Sequence, residues 1–362
     1  MGGPQAPESL GTGDLDAGDL DAGSLDGGGV GKVLVTGASG MLGGAVADLL
    51  AERGWDVTVM QRRSAGGRHR ESLGDIRDPK AVTRAVTGQD AVVHLAAKVD
   101  VVGAWMDFVQ TNVAGTRHVI AALRAQGGGR LVQVSSPSVA HTGRSLTGEG
   151  AGLATPMRAR GSYARTKAAA ELFALEADRD SSGSMAVTAV RPHLVWGPGD
   201  TQLVGRIADR ARQGRLALVG GGTALVDTTY VDNAAEAIVA ALQRIEVARG
   251  QSFVVTNDEP RPIGELVAGI CHAMGVPAPR ARVPLPVAWG LGAVVEGAVA
   301  LSERLSRLPV ITQPPMTRFL AEQMATAHWF DQRRTQEVLD WRPRVSIDEG
   351  LARLAEHARA HG

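Results

Sequence analysis

Between Lys32 and Gly54 the chain reads KVLVTGASGMLGGAVADLLAERG, and this stretch limits the fold more tightly than any other. A short apolar, β-branched run ends at a glycine, and helical spacing of apolar residues follows directly. Gly37, Gly40 and Gly43 fall across that junction with the spacing G-x-x-G-x-x-G. A glycine triplet alone is weak evidence, but between a strand and a helix it is what a dinucleotide-binding turn demands. Gly37 permits the tight turn, Gly40 lets backbone approach a pyrophosphate, and Gly43 lets the helix pack closely on the strand. The helix N-terminus, with Ser39, Met41 and Leu42 around Gly40, offers N–H groups and a positive dipole end to the anion.

The alternation continues along the chain. DVTVMQ reads as a second strand, and DAVVHLAA (Asp90–Ala97), GRLVQVSS (Gly129–Ser136) and MAVTAVRP (Met185–Pro192) as further buried strands. Helical patterns separate them over Pro79–Thr87, Phe108–Arg124 and Tyr163–Asp178. Near-continuous apolar strands alternating with helices predict an α/β fold, a parallel sheet covered on both faces. Right-handed crossovers make it doubly wound, with ligands at the carboxyl ends of the strands near the switch point. After Gly197 the alternation loosens. LALVG, VDTTYV and SFVVTN mix with helices, and prolines gather at 277–286 and 309–315. The expectation is a Rossmann core over 31–196. Residues 197–362 then form a smaller, mostly substrate-binding portion, with some elements returning to the core. Within it, Val287–Leu308 is apolar but interrupted by Glu296, Glu303, Arg304 and Arg307. Its charge-free part is shorter than the ~18–20 residues a membrane span needs. It reads as a core or lid helix, with a helix lying on a membrane surface as the alternative.

The 362 residues suffice for a sizeable core. With 38 basic and 38 acidic residues there is no global positive field, so no nucleic-acid partner is expected. A single cysteine, Cys271, excludes an internal disulfide framework and a Cys-based zinc site, and fits a reducing cytosol. No His, Asp and Glu cluster has metal-ligand spacing, and no metal is expected. Residues 1–30 stand apart, with the repetitive, acidic DLDAGDLDAGSLDGGG. Such a stretch cannot bury enough apolar surface to order itself, and it reads as a disordered tail. It lacks the basic start and apolar core of a secretory signal. The chain is therefore expected to be cytoplasmic, with a peripheral membrane association as the variant.

Four further features fall where a dinucleotide would lie. GDIRD, after a third strand, places Asp75, able to accept from an adenine amino group, beside Ile76, able to pack on the ring. HLAAK ends its strand with Ala96 and Ala97, small enough for a cofactor to pass over, followed by Lys98. TNVAGT puts Asn112 in a helix, where it ties sheet and cofactor together. VMQRR, at the end of the second strand, lacks the carboxylate that commonly holds an adenosine ribose. Gln61 there removes the repulsion a carboxylate would exert on a 2′-phosphate. Arg62 can reach that phosphate with a forked, charge-assisted contact, and Arg63 adds positive field or stacks on adenine. The stretch specifies NADP(H) over NAD(H).

In GSYARTKAAAE, Tyr163 and Lys167 stand at i, i+4, on one face of a helix. A free tyrosine titrates near pH ~10, too high for ready proton exchange at neutrality. A neighbouring ammonium favours the phenolate and lowers that value. Tyr163 then serves as proton donor or acceptor for a carbonyl/alcohol pair, while Lys167 has donors for the nicotinamide ribose. Ser135 and Ser136 end the fifth strand at the carboxyl edge. A serine hydroxyl there adds a second donor to the alkoxide that hydride transfer creates.

Taken together, the glycine loop, HLAA, NVAGT, the strand-end serines, YARTK and RPHLVWGPGD resemble the extended short-chain dehydrogenase/reductases, over about Lys32 to Leu354. The resemblance implies the acid/base set Ser136, Tyr163 and Lys167, selecting Ser136 over Ser135 and leaving Ser135 with the cofactor. It also implies that Pro192 and His193 meet the nicotinamide carboxamide. SSPSVAH, LVDTTYVDNAAEA and TRFLAEQMATAHWFD…WRPRVSIDEGL are most similar to the 3β-hydroxysteroid dehydrogenase-like branch. Within that branch they resemble bacterial olefin-pathway reductases of 2-alkyl-3-oxoalkanoates. An NADP(H)-dependent reduction of a hydrophobic 3-oxo acid is then expected. The alternatives are a steroid or sterol dehydrogenase, a nucleotide-sugar epimerase or dehydratase, and a non-catalytic NADP-binding protein. Pro137 and Ser138 stand where sugar dehydratases carry an Asp–Glu pair. Ser138, His141, Trp196 and Tyr230 are candidates for lining an apolar substrate cleft. Relatives pair as dimers through helices such as 105–126 and 160–180, so a homodimer is expected. A pathway enzyme or membrane surface is a further candidate partner.

Overall fold

The computed structural model describes residues 31–64, 66–100, 103–141, 143–179, 183–305 and 324–361. The expected disordered tail, residues 1–30, and the proline cluster at 309–315 lie outside the described residues. Seven parallel strands form the main sheet: β1 (Lys32–Thr36), β2 (Asp56–Gln61), β3 (Arg70–Leu73), β4 (Ala91–His94), β5 (Gly129–Val134), β6 (Met185–Pro192) and β7 (Ser252–Val255), in the spatial order β7-β6-β5-β4-β1-β2-β3. The order reverses between β1 and β4, where Val35 pairs with both Val59 and Val93. In sheets of this order ligands bind at that switch point, above the carboxyl ends.

The strands are apolar on both sides because helices cover both faces. Helices α1 (Met41–Glu52) and α5 (Val231–Gln243) cover one, burying Val46, Leu50, Ile238 and Leu242 against Val33, Val57 and Val93. Helices α2 (Pro79–Val86), α3 (Gly115–Ala125) and α4 (Gly161–Asp178) cover the other, where Val82, Ile120, Leu123 and Ala174 meet Leu34, Val92 and Leu131. Alanines 164, 168, 170, 174 and 177 of α4 are buried, so the helix lies close on the sheet.

Residues Gly31–Gly362 form one compact unit. SFVVTN, expected in the substrate-binding portion, supplies β7 and completes the main sheet beside β6. Its buried, β-branched and aromatic pattern suits a parallel strand; only its distance along the chain from β6 concealed the pairing. VDTTYV divides into Leu225–Val226 and Thr229–Tyr230, which join different small sheets. A four-stranded sheet, in the order Arg261–Pro262, Leu225–Val226, His328–Phe330, Leu146–Glu149, brings the C-terminal region back against the segment between β5 and α4.

Helix Leu285–Leu305 buries Ala288 against Val219, but Val287, Trp289, Leu291 and Val294 are exposed. It is thus only partly a core helix. Among the described residues no helix is long and apolar enough to cross a membrane.

Candidate active site

The phosphate loop has the geometry its spacing predicts. Gly37 has φ +78°, and a Cβ there would stand 2.8 Å from Ala96 N. A Cβ on Gly43 would stand 2.3 Å from the carbonyl oxygen of Gly37, so any side chain would push α1 off the turn. At Gly40 the nearest atom to a Cβ is 3.5 Å away. Packing does not demand glycine at Gly40; its exposed face is left open to a ligand. No side chain caps α1, whose first-turn N–H groups at Met41, Leu42 and Gly43 face the loop beside exposed Ser39. This donor set fits a pyrophosphate.

At the adenosine end, Gln61 is buried and its amide Nε2 donates to Glu71 Oε1 at 2.6 Å. A carboxylate only accepts, so the Gln61 carbonyl oxygen is turned elsewhere. Arg62 and Arg63 are exposed just beyond. The Asp75 carboxylate is held below its usual range first by hydrogen bonds from Arg77, with the Arg62 charge contributing. Arg62 and Asp75 therefore share one corner of the sheet edge. Ile76 is buried in the core, where a Cβ on Gly115 would stand 2.9 Å from its side chain.

Ala96 donates its N–H to Thr36 Oγ1 at 3.1 Å, and strand β4 ends earlier than expected, at His94. The His94 ring lies between the hydroxyls of Thr36 and Thr116, and burial holds its pKa down at about 3, with the Lys167 charge adding. Ala97 and Lys98 follow, and Lys98 Nζ pairs with Asp100 at 2.9 Å. Asn112 sits in a π-helical turn, Val109–Ala114, that interrupts the expected helix. Its Oδ1 accepts from Lys98 N at 2.7 Å, and its Nδ2 donates to Thr166 Oγ1 at 3.0 Å. Asn112 thus ties the exit of β4 to the Tyr163/Lys167 helix, and π turns of this kind are frequent at functional sites.

Ser136, Tyr163 and Lys167 come together at the end of β5. Ser136 opens a 3-10 turn, Pro137–Val139, and its Oγ accepts from Ser138 Oγ at 3.0 Å. Burial raises the Tyr163 phenol above its usual value, and its hydrogen bond with Ser136 works in the opposite direction. Lys167 is buried, and Nζ donates to the carbonyl oxygen of Val134 at 2.5 Å. Burial brings its pKa down to about 8, against a raising contribution from Glu171. The lowering of Tyr163 expected from Lys167 is therefore not found: burial dominates and keeps the phenol protonated. That is the form a proton donor needs. Ser135 Oγ is buried with no hydrogen-bond partner among the described residues, a polar atom suited to a bound ligand.

Pro192 ends β6 and is buried. His193 donates its N–H to Val255 O at 3.0 Å, and its Nδ1–H to the backbone oxygen of Asp227 at 2.5 Å. His141 is buried and joins His193 through His328, with ring centroids 5.0 Å (His141–His328) and 5.9 Å (His193–His328) apart. Trp196 and Tyr230, candidates for the cleft or for the core, pack edge to face at 5.4 Å in the C-terminal core with Val345, Ile347 and Leu354. Trp196 Nε1 donates to Thr228 Oγ1 at 2.9 Å. Their size and apolarity serve packing. A separate groove of about 270 Å³, lined by Arg53, Glu236, Arg244 and Trp341 among others, shares no residue with this site.

Sequence reasoning missed Thr166, Glu171, Arg191, Asp227 and His328. Arg191 carried a signal, a charge within an otherwise apolar strand pattern. Asp227 is 1% exposed, and burial pushes its pKa up to about 7 against hydrogen bonds from Thr256 and Glu259. A folded value above the unfolded one means the native state holds the proton more tightly. Its contribution therefore falls as pH rises from about 4 to about 7, by up to about 4 kcal/mol at ~1.4 kcal/mol per unit. Asp227→Asn removes that penalty, and the Thr256 hydroxyl can reverse to accept from the amide. Denaturant unfolding should show the variant more stable than wild type at pH 8 and nearly equal at pH 4. Equal stabilities at pH 8 would contradict the buried-carboxyl account.

Comparison with known proteins agrees with this geometry. Residues 33–256 match the NAD dependent epimerase/dehydratase family. A 2-alkyl-3-oxoalkanoate reductase of Stenotrophomonas maltophilia (strain K279a) is 42% identical, over 91% of this chain and 100% of that protein. The reductase of the same name from Shewanella oneidensis is 36% identical, over 98% and 92%. A sterol-4-alpha-carboxylate 3-dehydrogenase, decarboxylating, of Mus musculus is 28% identical over 90% of each. Among solved structures, MoeE5 in complex with UDP-glucose and NAD superposes with a TM-score of 0.70 at 25% identity, over 91% of this chain and 99% of that one. With its glycine loop, parallel sheet and Ser136–Tyr163–Lys167 set, the chain belongs to the NAD dependent epimerase/dehydratase family, as an extended short-chain dehydrogenase/reductase and an NAD(P)-dependent oxidoreductase.

Proposed function

We propose that the protein is an NADP(H)-dependent ketoreductase that reduces the 3-oxo group of a hydrophobic 2-alkyl-3-oxoalkanoate. The observation that carries this reading is the buried Tyr163 phenol hydrogen-bonded to Ser136 at the end of β5, in a chain 42% identical to a reductase named for that substrate. The nicotinamide, when bound, supplies a hydride to the ketone carbon. Tyr163 gives its proton to the carbonyl oxygen, so ketone becomes alcohol with charge and atoms balanced. Ser136 donates to the same oxygen and holds it in line. Lys167, whose Nζ is held at the end of β5 by the Val134 carbonyl oxygen, would hold the ribose hydroxyls of a bound nicotinamide and supply positive charge near the phenol. The preference for NADP(H) is supported by exposed Arg62 and Arg63 and by the uncharged Gln61 at the end of β2.

The sterol dehydrogenase likeness favours a second reading, oxidation of a 3-hydroxysteroid. Purified protein with NADPH or NADH, given a 2-alkyl-3-oxo acid and a 3-oxosteroid, separates the two. The expected outcome is fast NADPH oxidation with the acid only. Turnover of the steroid alone, or of a nucleotide sugar alone, would overturn the proposal.

A further inference from the structure

Arg191 lies in the apolar strand β6 and is 1% exposed. A guanidinium taken out of water costs several kcal/mol unless it is paired and hydrogen-bonded. Its partner, Glu171, also 1% exposed, lies on α4 one turn beyond Lys167. The contact is bidentate: Nε donates to Glu171 Oε2 at 2.9 Å and Nη2 donates to Oε1. Ser252 Oγ of β7 donates to the same Oε1 at 2.9 Å. The remaining nitrogen, Nη1, donates to the carbonyl oxygens of Ala151 and Gly152.

Those carbonyls belong to the segment between Ser136 and Tyr163. Its other fastenings lie close by. Thr155 N–H donates to Val139 O at 3.0 Å, and Ala154 packs with Val139 and with Ala168, the neighbour of Lys167. The segment is thus held between the turn after Ser136 and the helix that carries Tyr163 and Lys167. Around these fastenings, Leu153 and Met157 are 85% and 87% exposed. Two large apolar side chains are therefore held out from a backbone that is itself fixed.

Replacing a buried ion pair by apolar residues is commonly neutral or stabilising, so fold stability alone does not account for this one. We propose that Arg191 and Glu171 are positioning residues for the reaction. They latch the 151–157 loop beside Ser136 and Tyr163, so that Leu153 and Met157 form an apolar lip for the substrate's alkyl chain, and they tie that loop to Lys167. The alkyl-chain part rests on the reductase reading above. The groups that face Lys167 are Glu171 from its own helix, His94 from β4 and the carbonyl oxygen of Val134 from β5, with Arg191 of β6 reaching it through Glu171. Glu171 sustains the ammonium against burial, so losing the pair weakens the lysine's hold on its proton.

The test uses Arg191→Met/Glu171→Met, which removes both charges together and avoids stranding one in the core. The double variant is expected to fold and bind NADPH as wild type does. Its KM for a long-chain 2-alkyl-3-oxo acid should rise at least about fivefold more than its KM for a short-chain one, the effect of a few lost methylene contacts. The basic limb of kcat against pH should move to lower pH by roughly one unit. Arg191→Lys with Glu171 intact should restore the limb. A folded, NADPH-binding double variant with the wild-type chain-length ratio and the wild-type limb would overturn the latch. If wild type turns over no such acid, the reductase reading fails separately. Hydrogen exchange of the bonded Thr155, Arg158 and Ala159 amides then decides: about tenfold faster exchange in the double variant is expected, and unchanged protection would overturn the proposal.

Discussion

Tyr163→Phe is expected to lower kcat for ketone reduction by about 10²–10⁴, the usual worth of a positioned general acid, while NADPH affinity stays within about twofold. The phenol lies on α4 and hydrogen-bonds Ser136, which puts its proton at the reacting oxygen. Burial keeps it protonated at neutrality, so deleting the hydroxyl removes the proton from the step. Ser136 remains, and its hydrogen bond still steadies the developing alkoxide, which leaves a residual rate. The aromatic ring is retained, so packing changes little and the melting temperature should move little. Stopped-flow transients at saturating NADPH read the chemical step directly. Full turnover in the variant would sink the assignment of Tyr163.

Arg62→Ala is expected to weaken NADPH binding by about ten- to a hundredfold, the loss of one charge-assisted contact of ~1.5–3 kcal/mol, with NADH affinity changed by less than about twofold. Arg62 is exposed at the end of β2, and its charge is felt by Asp75. The complementary change needs care, because Gln61 already donates to Glu71. Gln61→Asp alone would bring two carboxylates together and raise the affinity of one for a proton. Gln61→Asp with Glu71→Gln exchanges the two and keeps the hydrogen bond. That double variant should lose NADPH affinity and gain NADH affinity, read by fluorescence titration. Equal losses for both cofactors would refute the role given to this corner.

Much of the site was legible because its residues stand next to strand ends and helix starts that local patterning marks. Gly37, Gly40 and Gly43 needed only the strand–turn–helix context, and the i, i+4 spacing of Tyr163 and Lys167 needed only a helix. What escaped was long-range. β7 pairs with β6 across residues that carry a different sheet, and no local pattern announces the partner. The edge strand β3, RESL, is legible only as a third strand ahead of GDIRD and not from its own residues, which are neither apolar nor β-branched because an edge needs no buried face. Trp196 and Tyr230 read equally as cleft or core residues, because size and apolarity look the same in both. Glu171 reads as an ordinary charge, and Arg191 as an unexplained one in an apolar strand, until the fold brings β6, α4, β7 and one loop together around them. The tyrosine's pKa direction was missed for a related reason: spacing shows the lysine, but not the burial that outweighs it.

The central claim is hydride transfer to carbon 3 of a 2-alkyl-3-oxo acid. It is tested most directly by running the substrate panel with NADPH deuterated at the transferable C4 position. Mass spectrometry of the product should find one deuterium on carbon 3 of a 2-alkyl-3-hydroxyalkanoate, with NADP formed in equal amount. A product without deuterium at that carbon, or label that remains in the cofactor while substrate is consumed, would contradict the account.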